Sequence, residues 1–203
     1  MAVQHKDIAD PEVHEPKGAS SASVGQVIVS NGDGTTQFAT PSELNLVAIG
    51  PTLSASSVLI QNPTGLNIPT QITFGDPISN TDIDVDVDGN ITVLNQGVYF
   101  LTFNFNFGRA NNTGTCQLAA RLLLNDAPFG FTQGVKLTAN SNVRPTQFNL
   151  FVKLNEGDVI KAQFGRDGSG VDDGGLYTLD ASGLSWALTP SAWVRISKLA
   201  GAF

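Results

Sequence analysis

Gly97-Val98-Tyr99-Phe100-Leu101-Thr102-Phe103-Asn104-Phe105-Asn106-Phe107 alternates along its length: Tyr99, Leu101, Phe103, Phe105 and Phe107 fall on one face of an extended chain, and Thr102, Asn104 and Asn106 on the other. Successive side chains of a strand point to opposite faces, so a period of two predicts a long, half-buried β-strand. Working outward, Cys116-Gln117-Leu118-Ala119-Ala120-Arg121-Leu122-Leu123-Leu124 repeats the pattern, with Cys116, Leu118, Ala120, Leu122 and Leu124 inward. Phe148, Leu150, Val152 and Leu154 repeat it once more. Asn125-Asp126 predicts the turn after the second of these strands and Asn155-Glu156-Gly157-Asp158 the turn after the third; residues 159–164 return as a strand and residues 192–198 form the last one.

Composition agrees with this reading. Met occurs once, Glu and Lys are few, and Gly, Thr, Asn, Val and Phe carry the chain, so very little helix is expected. Many short antiparallel strands without helices between them predict an all-β sandwich or barrel, which at this length is a jelly-roll β-sandwich. An immunoglobulin-type sandwich lacks its cysteine pair here. With 203 residues the chain can bury one good core, or one core and a small appendage.

The organisation changes near Gly50. Residues 1–20 are polar and punctuated by Pro11 and Pro16, which force the residues before them toward extended backbone. This segment reads as an extended arm. Within residues 21–50, residues 24–38 read as two short strands around Asn31-Gly32-Asp33-Gly34, a run that tolerates positive φ. Thr40-Pro41-Ser42-Glu43-Leu44 follows as a candidate helical turn capped by Thr40, and then a connector. Residues 51–203 carry the sandwich.

Charge and chemistry narrow the function classes. The net charge is −7 and no Lys/Arg cluster stands ready to neutralise phosphates, so nucleic-acid binding is not expected. Residues 1–7 lack the apolar stretch of a secretory signal, and no apolar run approaches the roughly 20 residues of a spanning helix, so neither export nor membrane insertion is expected. His5 and His14 both lie in the arm, away from Cys116 and every core serine, which leaves no general base for a nucleophile. Cys116 alternates with Leu118 and reads as a small buried hydrophobe. The run Asp82-Ile83-Asp84-Val85-Asp86-Val87-Asp88-Gly89-Asn90 imitates a calcium loop, but Asn95 stands where the bidentate Glu belongs. Its plain reading is a strand with an acidic solvent face running into a turn. The loop at residues 166–175 reads as exposed and mobile. No enzyme activity, cofactor or metal is expected.

Two resemblances add to this. Residues 88–103, with the turn Asp88-Gly89-Asn90 and Gly97-Val98-Tyr99 opening the aromatic strand, resemble the strand pair of the tumour-necrosis-factor and complement globular-head superfamily. So does Leu154-Asn155-Glu156-Gly157-Asp158 between two later strands. The resemblance implies a ten-stranded jelly roll, covering about residues 54–199, that assembles as a parallel homotrimer around an apolar axis. Tyr99, Leu101, Phe103, Phe105 and Phe107 then serve either the sandwich core or the trimer axis. His5-Lys6-Asp7-Ile8, His14-Glu15-Pro16-Lys17-Gly18 and Gly25-Gln26-Val27-Ile28-Val29-Ser30 resemble the start of tailed-phage virion proteins, chiefly head decoration proteins and head fibres. That implies an arm attaching the module to a viral shell, with His5, Ile8, His14, Glu15, Pro16, Lys17 and Gly18 as its candidate contact residues.

An extended arm of about 18 residues reaches on the order of 60 Å at roughly 3.3 Å per residue. Ordering it costs roughly 1–2 kcal/mol per residue, so it orders only against a partner surface. Three arms per trimer multiply weak contacts through effective concentration. The expectation is a capsid decoration or head fibre protein on the outer surface of the virion, with the major capsid protein as its partner. The alternative is the receptor-binding tip of a tail fibre or spike, whose exposed loops meet host-surface glycans.

Overall fold

The computed structural model describes residues 22–30, 33–40, 52–110, 114–138, 143–171, 173–180 and 182–199. The chain divides into two compact units that part between Ala48 and Ile49. In the first, β1 (Val27–Ser30) and β2 (Thr36–Ala39) pair antiparallel with Ser30 opposite Thr36. Asp33 accepts hydrogen bonds from Thr35 N at 2.9 Å and Thr35 Oγ1 at 2.5 Å, and Gly34 takes a φ of +87°. A short side chain bonding backbone two residues on fixes the turn, and those bonds hold the Asp33 carboxyl below its ordinary range. The arm at residues 1–20 and the helical turn expected after Thr40 lie outside the described residues.

The second unit is a jelly-roll β-sandwich. Its strands are β3 (Leu53–Ser57), β4 (Thr70–Gln71), β5 (Ser79–Asn80), β6 (Ile83–Val85), β7 (Ile91–Val93), β8 (Gly97–Gly108), β9 (Cys116–Leu124), β10 (Ala127–Leu137), β11 (Arg144–Leu154), β12 (Val159–Arg166), β13 (Gly175–Leu176) and β14 (Ala192–Lys198). One sheet runs β11-β8-β14-β3-β5 with β13 added on β8; the other runs β10-β9-β12-β7-β6 with β4 added on β12. Every strand pairing is antiparallel, and the chain passes repeatedly from one sheet to the other. The unit has twelve strands where the resemblance implies ten, and three of them, β4, β5 and β13, are only two residues long. The helical content of the described residues is one 3-10 turn, Ser182–Leu184.

The core lies between the sheets. Tyr99, Leu101, Phe103, Phe105 and Phe107 are all fully buried there, with Cys116, Leu118, Ala120 and Leu122 contributed by β9. Ring centroids lie 6.3 Å apart for Phe74 and Phe103, 6.2 Å for Phe103 and Phe105, and 5.8 Å for Phe105 and Phe148, the tilted spacings aromatic rings prefer. Leu124 packs against this core as expected while remaining partly buried, and Leu123, on the other face, is buried as well. Leu123 stands between Pro128 and Lys161 on the adjoining strands, and neighbours opposite each other across a ladder shelter one another.

The predicted turns are in place. Asn125 and Asp126 both adopt positive φ, +51° and +64°, joining Leu124 to its partner Ala127 in a two-residue hairpin loop. Asp158 closes the Asn155–Asp158 turn by accepting from Asn155 N at 2.7 Å and ties it to the first turn by accepting from Asn125 Nδ2 at 2.9 Å. The amide donors, Asn125 first, lower its carboxyl pKa.

Candidate assembly interface

The outward face of the first sheet is where the sandwich leaves apolar surface unpartnered. Three rows cross β11, β8 and β14 there: Phe151, Phe100 and Ser197; Asn149, Thr102 and Arg195; Gln147, Asn104 and Trp193. The Phe100 and Phe151 rings meet at a tilt of 31° with centroids 4.5 Å apart, yet Phe151 is 71% exposed. Thr102 is buried on this face and donates to Asn149 Oδ1 at 3.1 Å. Arg195 is the single charged residue of the three rows. Lys153 adds a second cation to this face in the next row, opposite Val98, and the exposed Phe151 against a half-buried Phe100 is aromatic surface of the kind protein interfaces cover.

A second apolar exposure lies on the edge of the sandwich. The β9–β10 ladder shifts register between Phe129 and Gln133, and Gly130 takes a φ of +74° in the bulge. The extra residues carry Phe131, 47% exposed, onto the buried Phe148 ring of β11 at 5.3 Å. Gln133 Nε2 donates to the Gln147 carbonyl at 2.7 Å, so β10 and β11 are linked at this edge.

Tyr99 anchors the base of the face from the core side. Its hydroxyl donates to the Asn95 carbonyl, and the Lys198 ammonium lies 5.8 Å from its ring centroid while pairing with Asp82 at 3.3 Å. Burial first and the Asp82 charge second push the phenol up to about 12, so it remains a neutral donor at physiological pH.

The sequence-derived candidates separate cleanly. Tyr99, Leu101, Phe103, Phe105 and Phe107 occupy the core of one chain and not the exposed face. His5, Ile8, His14, Glu15, Pro16, Lys17 and Gly18 lie outside the described residues. Phe100, Phe151, Phe131 and Trp193 were missed, because a period-two reading discards residues on the polar side of the alternation. The available signal was a large aromatic at a polar position, which Phe100 and Phe151 both show.

The acidic segments are structural. Ile83 and Val85 are buried with Asp84 exposed between them. Asp86 then accepts from Asp88 N at 3.0 Å, Asn90 N at 2.8 Å and Asn90 Nδ2 at 2.7 Å, which lowers its pKa, Asn90 contributing most. Both oxygens are occupied in closing the turn. The loop at residues 166–175, expected to be exposed and mobile, is tied down where it is described: Asp167 N donates to Gln117 O at 2.9 Å, Val171 N to Thr115 O at 2.8 Å, and Asp173 pairs with Arg109 at 3.0 Å. Arg109 draws it inward, since its own side chain is 1% exposed and needs an anion. Cys116 is buried as expected. Among the described residues no group of three or more His, Cys, Asp or Glu side chains is placed to hold a metal ion.

No protein-family model matches the chain, and no curated protein matches it. Crystal structures of murine APRIL at pH 5.0, pH 8.0 and pH 8.5 are similar at 11%, 15% and 14% identity, with TM-scores of 0.43, 0.41 and 0.41. Each similarity covers 72% of this chain and 97% of that chain. At these values the likeness adds nothing to the jelly roll already given by the strand order.

Proposed function

We propose that the chain is a non-catalytic structural protein of a virion, a homotrimer that decorates the outer surface of a phage head and is attached through its N-terminal arm. The observation that carries the assembly half of this reading is the exposed Phe151 ring set against half-buried Phe100 on the outward sheet face. Phe131 lies elsewhere, on the β10–β11 edge, and two different apolar surfaces on one unit suit a heterologous contact, edge against face, that closes into a ring. Three as the number of subunits, and the phage head as the site, come from the family resemblances of the sequence. The major capsid protein is the partner this reading requires.

Two measurements test it. In purified particles, quantitative mass spectrometry is expected to find this chain at a copy number of the same order as the major capsid protein. Only a few trimers per particle would move the protein to a tail tip or spike. That second reading draws on the loop between Leu179 and Thr189, which are bridged to each other while Leu184 and Trp186 stand 62% and 69% exposed. The loop sits at the end of the sandwich marked by the Ser57–Ala192 pair, opposite the end marked by Leu53 and Ile196. For assembly itself, Phe151→Asp is expected to convert trimer to monomer in sedimentation equilibrium at micromolar concentration, because desolvating a carboxylate opposes burial of the face. The same variant should change monomer stability by less than about 0.5 kcal/mol, as for other surface substitutions. A variant that stays trimeric would remove this face from the interface.

A further inference from the structure

The second sheet carries a hollow that the assembly reading does not use. Its outward face presents three rows across β9 and β12: Arg121 opposite Gln163, Ala119 opposite Gly165, and Gln117 beside Asp167. The middle row has one methyl group and one hydrogen for side chains. The result is an open cavity of about 250 Å³, floored by Ala119 and Gly165, walled by Arg121 and Gln163 at one end and by Asn67 and Asp167 at the other, with Thr132 of the β10 bulge at its side. Packing does not demand the bare floor at Gly165: a Cβ there would meet only ordinary contacts, 3.5 Å to Ile68 O and 3.7 Å to Pro69 Cα.

The polar groups around the hollow are arranged with one bias. Gln163 Oε1 accepts from Arg121 Nε at 3.2 Å and from Nη2 at 3.0 Å, so the acceptor end of this amide is engaged within the wall. Asn67 Oδ1 accepts from Gly168 N at 2.8 Å, so the second amide is committed the same way. Both amides therefore present their NH₂ ends for a ligand, together with the remaining guanidinium edge of Arg121. At the far end Asp167 has one oxygen on Ser169 N at 2.7 Å, which together with the Ser169 side chain holds its carboxyl ionised below the ordinary range. The site thus offers a cationic, donor-rich end at Arg121, while Asp167 and Arg166, of opposite charge, stand at the far end about 13 Å along the strand by four residues' rise.

We infer that this hollow binds one carboxylated sugar of an acidic polysaccharide, with the carboxylate on the Arg121 guanidinium and the ring over the Ala119–Gly165 floor. The volume falls below the roughly 300–1,000 Å³ of pockets for drug-sized ligands and suits a single ring. A planar carboxylate matches the guanidinium fork. The hollow lies on the sheet opposite Phe100 and Phe151, so the inference stands or falls independently of the assembly face.

Amide-resolved NMR titration of the full chain with D-glucuronate, D-glucose and acetate tests it. Glucuronate is expected to give saturable shifts confined to residues around 67, 119–121, 132 and 163–167, with a Kd in the millimolar range. Glucose should bind at least about tenfold more weakly, since it lacks the charge-assisted hydrogen bond. Arg121→Gln and Ala119→Leu, the first removing the cation and the second filling the floor from an outward-facing position, should each abolish the shifts while leaving the remaining spectrum in place. No saturable shift with glucuronate, equal binding of glucose, equal binding of acetate, or binding retained in Arg121→Gln would each overturn the assignment.

Discussion

Replacing Phe103 by Ala is expected to destabilise the jelly-roll unit by about 3–5 kcal/mol, read from the midpoint of urea unfolding. Phe103 is fully buried midway along β8, with Leu101 and Phe105 beside it on the same face and Phe148 opposite on β11. Its ring sits among those of Phe74 and Phe105 at 6.3 Å and 6.2 Å, and Phe105 and Phe148, fixed by the β8–β11 ladder, cannot collapse into the space it leaves. The loss therefore contains the transfer free energy of the ring and the cost of the residual cavity. Because the residue is buried within one chain, the effect should appear at every protein concentration and in the monomeric Phe151→Asp background. Phe100→Ala, one step along the same strand but on the outer face, should lower monomer stability far less and act on association instead. A Phe103→Ala protein within about 1 kcal/mol of the parent would take this side chain out of the core.

The contrast between Phe103 and Phe100 marks how much the amino-acid order discloses. Period-two alternation placed the five inward residues of β8, the turn at Asn125-Asp126, and β14 at residues 192–198, because one buried face imposes that alternation on every strand of a two-layer sandwich. Alternation says nothing about the face turned away from the core. Phe100, Phe151 and Trp193 become a candidate interface only once the register sets them in adjoining rows of β8, β11 and β14. The hollow at Ala119 and Gly165 is hidden for the same reason, since these residues lie 46 positions apart in the chain and meet only through the β9–β12 pairing. The loop near Asp173 is exposed at Asp167, Gly168, Ser169 and Val171, as glycines and aspartates suggest, but composition does not reveal the buried cation 64 residues earlier that holds Asp173.

That cation, Arg109, gives the second large expected effect. Its Nε lies 3.0 Å from Asp173 Oδ2, its Nη1 donates to the Gly114 carbonyl at 2.8 Å and reaches the Leu137 carbonyl at 3.4 Å, and its side chain is 1% exposed. Asp173→Ala removes this anion from beside a poorly solvated guanidinium, so a loss of about 3–5 kcal/mol is expected. Deleting both charges should cost much less than the two single losses added together, because a pair that is absent has no desolvation to compensate. The double variant Arg109→Met with Asp173→Ala replaces the buried stem with apolar volume and completes the cycle. Urea unfolding of the four proteins is expected to give a coupling of about 1–3 kcal/mol, within the range seen for residues in one network. Proteolysis within residues 166–175 should rise in Asp173→Ala and fall back toward the parent in the double variant only to the extent that the backbone bonds from Asp167 and Val171 to β9 and its approach survive without the ion pair. Additive losses would mean that Arg109 is held by the Gly114 and Leu137 carbonyls and that Asp173 contributes nothing through the pair.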